Sequence, residues 1–379
     1  MTGLQPVVSL RADPYGQGYG VIMRAEPSVT FDHGIFVAQR HGGVSRYFVE
    51  LARHLGRSGV AVAVDSPIYV TDGLRSLVDD GVVVRGRHVP VFPGVTRLGE
   101  TLAGFPRRLR SDVLHETWYG KSPTRRKQGL LAVTLHDMIS ELFPESVKGA
   151  EFQSQRKREA VARADVIFCV SETTRRDAMG LLGLPGERLV VTPLASSLPV
   201  LPRAETGKPF ILYVGKRGGY KNFPLLLEAF SVDPTLRGAL TIVCFGGGAF
   251  SEDERRLISQ AGEVIHVDGD DLALARWYAG ARAFVSTSRY EGFGIPLVEA
   301  MSAGCPVIAV GGGSVPEVGG DAIVSIGDSP DELAAHLRRL FDDEWRTVVA
   351  EAGRVRSRRY SWQRTAALTL DAYRESRIS

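Results

Sequence analysis

One repeated alternation narrows the fold of this chain more than any other feature. From about Val29 to Val307, short runs of β-branched and aliphatic residues alternate with longer amphipathic stretches. That is the pattern of parallel strands joined by crossover helices and covered on both faces. Strands are expected near Val29 to Phe31, Val60 to Val64, Val82 to Val84, Leu130 to Leu135, Val166 to Val170 and Leu189 to Val191. A second series is expected near Phe210 to Val214, Leu240 to Phe245, Val264 to Val267, Ala283 to Ser286 and Val307 to Val310. Between the series, Leu194 to Lys208 is aperiodic, contains Pro199 and Pro202 and is flanked by Pro193 and Pro209. It reads as a linker, and the class is α/β with two parallel-sheet domains.

The length of 379 residues agrees, since domains run to about 100–200 residues each. The expected division is an extension at 1–22, an N-terminal domain at 23–195, the linker at 196–208, a C-terminal domain at 209–360 and a closing helix at 361–379. Gly16-Gln17-Gly18-Tyr19-Gly20 in the extension follows no strand and precedes no helical pattern, so it is not read as a phosphate loop. Ser361 is a good N-cap, and Trp362, Ala366, Leu370 and Tyr373 follow at helical spacing. Periodicity does not say what that helix packs on.

With 44% hydrophobic and 23% charged residues, the chain is neither disordered, collagen-like nor a disulfide scaffold. Cys169, Cys244 and Cys305 stand far apart in apolar runs and are expected as reduced core residues. There is no apolar run of about 18 residues and no secretory signal at the start, so a cytoplasmic protein is expected. The net charge of +3 conceals an asymmetry, with residues 1–200 basic and the rest slightly acidic. The clusters Arg107/Arg108/Arg110, Arg125/Arg126/Lys127 and Arg156/Lys157/Arg158 are either solvated helix faces or a surface for anionic lipid or a phosphorylated acceptor. No nucleic-acid partner is expected.

The segment Glu291-Gly-Phe-Gly-Ile-Pro-Leu-Val-Glu299 carries the most chemistry. Pro296 marks a helix start, and Gly292 and Gly294 before it let backbone N–H groups approach a ligand at the positive end of the helix dipole. Glu291 falls in the approach loop, while Glu299 lies about a turn inside the helix within a largely apolar run, where a solvated Glu is unexpected. A nucleotide sugar asks for this kind of set. Its ribose hydroxyls suit a carboxylate, and its diphosphate suits helix-start amides with Lys or Arg.

With Ala303-Gly-Cys-Pro-Val-Ile-Ala309 and Pro316-Glu-Val318 following, this segment resembles the donor-site signature of glycosyltransferase family 4, a retaining family of GT-B fold. The resemblance extends over nearly the whole chain. It implies two Rossmann-like domains facing a central cleft, with the closing helix crossing back onto the N-terminal domain. It also implies that Glu291 contacts the donor sugar and Glu299 the ribose, with the amides of Gly292, Phe293 and Gly294 near sugar and phosphates. After the strand ending at Val214, Gly215-Lys216-Arg217-Gly-Gly-Tyr-Lys221 matches the family's glycine-rich turn. Lys216 and Lys221 then neutralise the departing diphosphate, and Arg217 shares that role because Lys216 replaces the family's Arg. Gly42 and Gly43, opening a helix that begins Val44-Ser45-Arg46-Tyr47, are either a tight turn or a loop facing phosphate or sugar.

The resemblance further places His136, at a strand end, against the donor sugar, and His266 and Val267 along the base pocket. Asp137 either orients His136 or caps the next helix. Ser171 is a helix cap by default, and Arg175 beyond it faces diphosphate or acceptor. Arg46, His115 and Trp118 are acceptor candidates. No metal site is expected, and no cofactor beyond a nucleotide-sugar co-substrate. Asp32-His33, the glycine-opened helix and Leu-His-Asp-Met138 look most like bacterial mannosyltransferases of polysaccharide synthesis. That suggests GDP-mannose as donor and a glycan or lipid-linked oligosaccharide as acceptor, with GDP-deoxyhexose, dTDP-rhamnose or UDP-hexose as alternative donors. A nicotinamide oxidoreductase is excluded by the missing Gly-x-Gly-x-x-Gly turn. A nucleotide-sugar epimerase of the same fold stays a less favoured alternative, because the catalytic carboxylates it needs are not located, and a non-catalytic glycan-binding scaffold is less favoured because it is not expected to keep the donor residues.

Overall fold

The computed structural model describes residues 26–103, 111–119, 129–204 and 207–377. The glycine cluster around Gly18 and the basic clusters at 107–110 and 125–127 lie outside them. The first sheet has seven strands: β1 (Val29–Phe31), β2 (Val62–Tyr69), β3 (Val83–His88), β4 (Val113–Glu116), β5 (Leu130–Leu135), β6 (Val166–Cys169) and β7 (Leu189–Val191). The second has six: β8 (Phe210–Val214), β9 (Thr241–Phe245), β10 (Val264–Val267), β11 (Ala283–Ser286), β12 (Val307–Val310) and β13 (Val324–Ile326). Their orders are β3-β2-β1-β4-β5-β6-β7 and β10-β9-β8-β11-β12-β13, and every pairing is parallel. Each sheet therefore reverses its winding once, between β1 and β4 and between β8 and β11. Open α/β sheets bind ligands beyond the strand ends at such a reversal.

Two strands escape the sequence pattern. β4 is Val-Leu-His-Glu, half polar, yet it lies between β1 and β5 with all four residues buried. β13 is a three-residue edge strand. β2 also runs beyond its expected end, because the interruption Asp65-Ser66-Pro67 is absorbed by a register shift against β3 between Asp65 and Ile68. There the chains pass so closely that a Cβ on Gly86 would lie 1.6 Å from the Ser66 carbonyl oxygen.

The Gly43–Arg57 helix buries Tyr47, Phe48, Leu51 and Leu55 against the first sheet. The last helix, Trp362–Ser376, is capped by Ser361, whose Oγ accepts from the Arg364 N–H at 3.2 Å. It leaves the second sheet's side and packs on the Gly43–Arg57 helix and β6. Trp362 and Tyr373 are buried there, and Thr365 Oγ1 donates to the Pro193 carbonyl at 2.5 Å. No helix or strand forms among the described residues of 192–209. All three cysteines are buried and free, and burial pushes each thiol up to about 12. No helix among the described residues is long and apolar enough to cross a membrane.

Candidate functional site

The second sheet's reversal collects the most conspicuous residues. β8 is followed by Gly215, whose φ of 98° turns the chain sharply. The turn that follows is fixed by Tyr213, whose hydroxyl donates to the Lys216 carbonyl at 3.0 Å. It is tied to the loop after β11, where Thr287 Oγ1 donates to the Lys221 carbonyl at 2.8 Å and the Arg289 N–H to the Tyr220 carbonyl at 2.9 Å. This lacing brings Lys221 Nζ to 2.6 Å from Glu291 Oε1. Burial lowers the ammonium pKa, but the Glu291 carboxylate, with Tyr220 and Asp137 beside it, raises it, and the net direction is upward. Lys216 stands exposed on the same turn. Arg217 is only 4% exposed and turns the other way. It donates to Glu254 at 2.7 Å and to the carbonyls of Gly246, Gly248 and Ala249, so its guanidinium braces the loop after β9.

Gly294, at φ 84°, caps the Ile295–Ser302 helix, with Pro296 as its second residue. Glu299 on this helix is 4% exposed, and both its oxygens are engaged. Oε1 accepts from Arg46 Nη1 and Oε2 from the Tyr278 hydroxyl, each at 3.1 Å. Burial raises its pKa, opposed by the Arg46 charge and the Tyr278 bond. The Phe293 side chain is core, edge-on to Tyr360 at 5.5 Å, so only its backbone lies toward the loop.

The first sheet meets this site at the end of β5. A Cβ on Gly292 would lie 1.9 Å from the His136 carbonyl oxygen, so only glycine permits the approach. The Gly292 carbonyl accepts from Ser171 Oγ at 2.6 Å and Thr174 Oγ1 at 3.1 Å, while Ser171 also caps its own helix, Glu172–Leu182. Glu317, from the second sheet's side, accepts from the N–H groups of Glu172 and Thr173 at 2.8 and 2.9 Å, where the helix dipole favours a carboxylate. His136 is packed edge-on by Tyr47 and Phe48. Burial, reinforced by the Lys157 charge, holds its pKa down to about 3, and its Nε2 is buried without a partner among the described residues. Asp137 Oδ1 accepts from the Ile139 N–H at 3.0 Å, a local cap. Gly43 backs onto Ile295, whose Cδ1 lies 3.6 Å from where a Cβ would stand. Two helix starts thus face each other across the cleft.

Several expected residues sit elsewhere. His115, an acceptor candidate, is wholly buried at the end of β4, with Nδ1 paired to the Tyr373 hydroxyl at 2.6 Å and Nε2 to Thr134 at 2.8 Å. Neither nitrogen is left for an acceptor. Arg46 turns to Glu299 and Asp271 on the second sheet's side of the cleft. Arg175 bonds Glu172 and the Gly186 carbonyl, and Trp118, half-buried, packs on Tyr119. His266 lies edge-on to Phe250, and the Val267 carbonyl accepts from the Gly246 N–H at 2.8 Å. A Cβ on Gly42 would meet the Gln39 side-chain amide at 2.3 Å, a contact that a rotation of Gln39 relieves at the cost of its bond from the Ser45 N–H. In the third basic cluster Lys157 is buried, donating to the Asp137 carbonyl at 2.9 Å and to Glu141 at 2.7 Å, so it fixes the loop after β5. Sequence reasoning assigned no role to Tyr278 or Tyr290 and gave Glu317 no contact. No group of three or more His, Cys, Asp or Glu among the described residues is placed to hold a metal.

Two parallel sheets that each reverse once, with paired carboxylates and a lysine at the second reversal, make this a glycosyltransferase of GT-B architecture. Family models agree in both halves, one described as Glycosyltransferase Family 4 over residues 41–195 and one as Glycosyl transferases group 1 over 202–356. The chain belongs to glycosyltransferase family 4. It is 31% identical over 265 residues to the O-antigen chain mannosyltransferase B of Escherichia coli, covering 64% of this chain and 69% of that one. It is 26% identical over 393 residues to a D-inositol 3-phosphate glycosyltransferase of Nocardioides, covering 89% and 86%. Among solved structures, sucrose-phosphate synthase from Thermosynechococcus elongatus superposes with a TM-score of 0.69 at 17% identity, covering 92% of this chain and 98% of its own. Anabaena HepE in complex with UDP-glucose gives 0.68 at 17%, covering 92% and 100%. At such identity these two speak to the fold alone.

Proposed function

We propose that this glycosyltransferase moves mannose from GDP-mannose, with retention of configuration, onto a glycan or lipid-linked oligosaccharide of a bacterial surface polysaccharide. The observation that carries the reading is the Lys221–Glu291 pair, 2.6 Å apart, on the helix start whose interior holds the buried Glu299. In this reading Glu299 accepts the ribose hydroxyls. Glu291 and the neutral His136 position the sugar, and Lys216, Lys221 and the amides of Gly292 to Gly294 stabilise the departing diphosphate. Opposite them, the Gly42–Gly43 helix start adds further amides. The leaving phosphate oxygen accepts the acceptor hydroxyl's proton on the face from which it departs, so no separate base and no metal is required. Mannose is favoured by the relative named as a mannosyltransferase.

A second reading, with a phosphorylated polyol as acceptor, is favoured by the relatives named D-inositol 3-phosphate glycosyltransferase, which match almost the whole chain. Thermal melting with GDP, UDP and dTDP and then their sugars separates the donors, because at equal concentration the tighter ligand raises the melting point further. GDP-mannose is expected to give the largest shift, and stabilisation by UDP-sugars alone sinks the mannose reading. An inverted anomeric centre in the product NMR spectrum, or activity abolished by EDTA, overturns the mechanism.

A further inference from the structure

The cavity at the donor residues, walled by Tyr213, Lys221 and Glu291, is small, about 20 Å³. A much larger groove of about 470 Å³ opens between the two sheets next to it, within the range of about 300–1,000 Å³ that small-molecule sites occupy. Leu142 and Phe143 wall it from the loop after β5, Thr173, Arg176 and Asp177 from the Glu172–Leu182 helix, and Tyr290 from the second sheet. Leu142 is exposed, and the Phe143 ring lies 6.1 Å from that of Tyr290 and 6.0 Å from that of Tyr220. The groove adjoins the Glu291 loop. Gly313 lines it, and a Cβ there would strike the Glu291 carbonyl oxygen at 2.5 Å.

Its polar groups are opposite in charge and incompletely engaged. Asp177 Oδ2 accepts from the Tyr290 hydroxyl at 2.6 Å, and Oδ1 has no partner among the described residues. Arg176 donates to Thr173 Oγ1 at 3.1 Å and is paired with no carboxylate among the described residues. A phosphate would meet Asp177 and a cation would meet Arg176. A neutral polyol uses both, since its hydroxyls donate to the carboxylate and accept from the guanidinium, while its C–H face lies on Phe143. We propose that this groove is a hexopyranose subsite that holds a sugar unit of the acceptor beside the Glu291 loop. The proposal rests on the glycosyl-transfer reading above.

The test is titration of the full chain with the methyl glycosides of mannose, glucose, galactose and N-acetylglucosamine, followed by saturation-transfer NMR, with GDP and UDP titrated separately. At least one glycoside is expected to bind in the millimolar range. Phe143→Ala and Arg176→Ala are each expected to weaken it by about tenfold or more while nucleotide affinity stays within twofold. Arg176 is exposed, so if Phe143→Ala fails to fold, Arg176→Ala carries the test. Binding of no glycoside, or equal binding by wild type and variants, overturns the subsite. Glycoside binding without nucleotide binding keeps the groove and sinks the donor reading instead.

Discussion

Arg46 and Glu299 meet across the cleft. The guanidinium Nη1 on the first sheet's glycine-opened helix lies 3.1 Å from Oε1 of a carboxylate that is 4% exposed on the second sheet's donor helix. A carboxylate oxygen accepts more than one hydrogen bond, so the pair leaves room for the ribose hydroxyls proposed for Glu299, and the Arg46 charge opposes the rise that burial imposes on its pKa. Removing one partner of a fully buried pair costs about 3–5 kcal/mol. Arg46 is 24% exposed, and Arg46→Met is therefore expected to cost less, about 1–3 kcal/mol. The more specific consequence is in binding. Without Arg46 the burial of Glu299 is opposed by the Tyr278 bond alone, and its pKa climbs further. Nucleotide affinity by calorimetry should then rise more steeply with pH in the variant than in wild type, and parallel profiles would count against this role.

Much of the fold was legible because its strands are short apolar runs, and β1, β5, β7, β8, β10, β11 and β12 fall where the alternation places them. β4 was not, since its burial comes from its place in the sheet and not from its composition; His115 is accommodated there only because Tyr373 and Thr134 arrive from distant parts of the chain. The candidate site divides in the same way. Glu291, Glu299 and the glycines between them are local, and spacing exposes them. The engagement of Arg217 by the loop after β9, and the turn of Arg46 toward Glu299, depend on pairings between residues 29 to 253 positions apart. No local pattern encodes those.

Glu291 and Lys221 form one electrostatic unit and should separate kinetically. Glu291→Gln keeps shape but loses the carboxylate proposed to orient the sugar, and is expected to lower kcat about 10²-fold or more with little change in nucleotide affinity. Lys221→Ala removes the cation proposed to face the developing charge and should cost about 10²–10³ in kcat while also weakening the binding of the free nucleoside diphosphate. Steady-state kinetics with product-inhibition constants distinguish the two, and full turnover in Glu291→Gln would sink its assignment.

Gly292 permits the domains to touch, and Gly180 provides the contrast. A methyl on Gly292 would meet backbone, the His136 carbonyl at 1.9 Å, so Gly292→Ala should hold the cleft open. The expected results are a larger radius of gyration in solution scattering and a loss of transfer of about 10²-fold or more. At Gly180, in the Glu172–Leu182 helix, nothing lies within 4 Å of the added methyl. Gly180→Ala should leave activity unchanged and stabilise the chain by about 0.5–1 kcal/mol. Compact, active Gly292→Ala would show that this contact does not govern closure.

Acid should destabilise the chain through its buried histidines, and the sign follows from the direction of their shifts. Burial holds both His115 and His136 neutral, with pKa values depressed from 6.5 to about 3. The unfolded chain therefore takes up these protons first as pH falls. The stability that the neutral rings confer is complete above about pH 6.5 and is lost progressively toward pH 3, at up to about 1.4 kcal/mol per pH unit for each ring. Carboxylates paired in the folded state contribute to the same slope, so the comparison has to be between variants. His115→Gln gives up the bonds to Tyr373 and Thr134 and should be less stable at pH 7, yet its unfolding free energy in urea should fall less steeply between pH 6 and 4 than that of wild type. Equal slopes would mean that His115 is protonated in the folded chain, which its two hydrogen-bond partners and complete burial argue against.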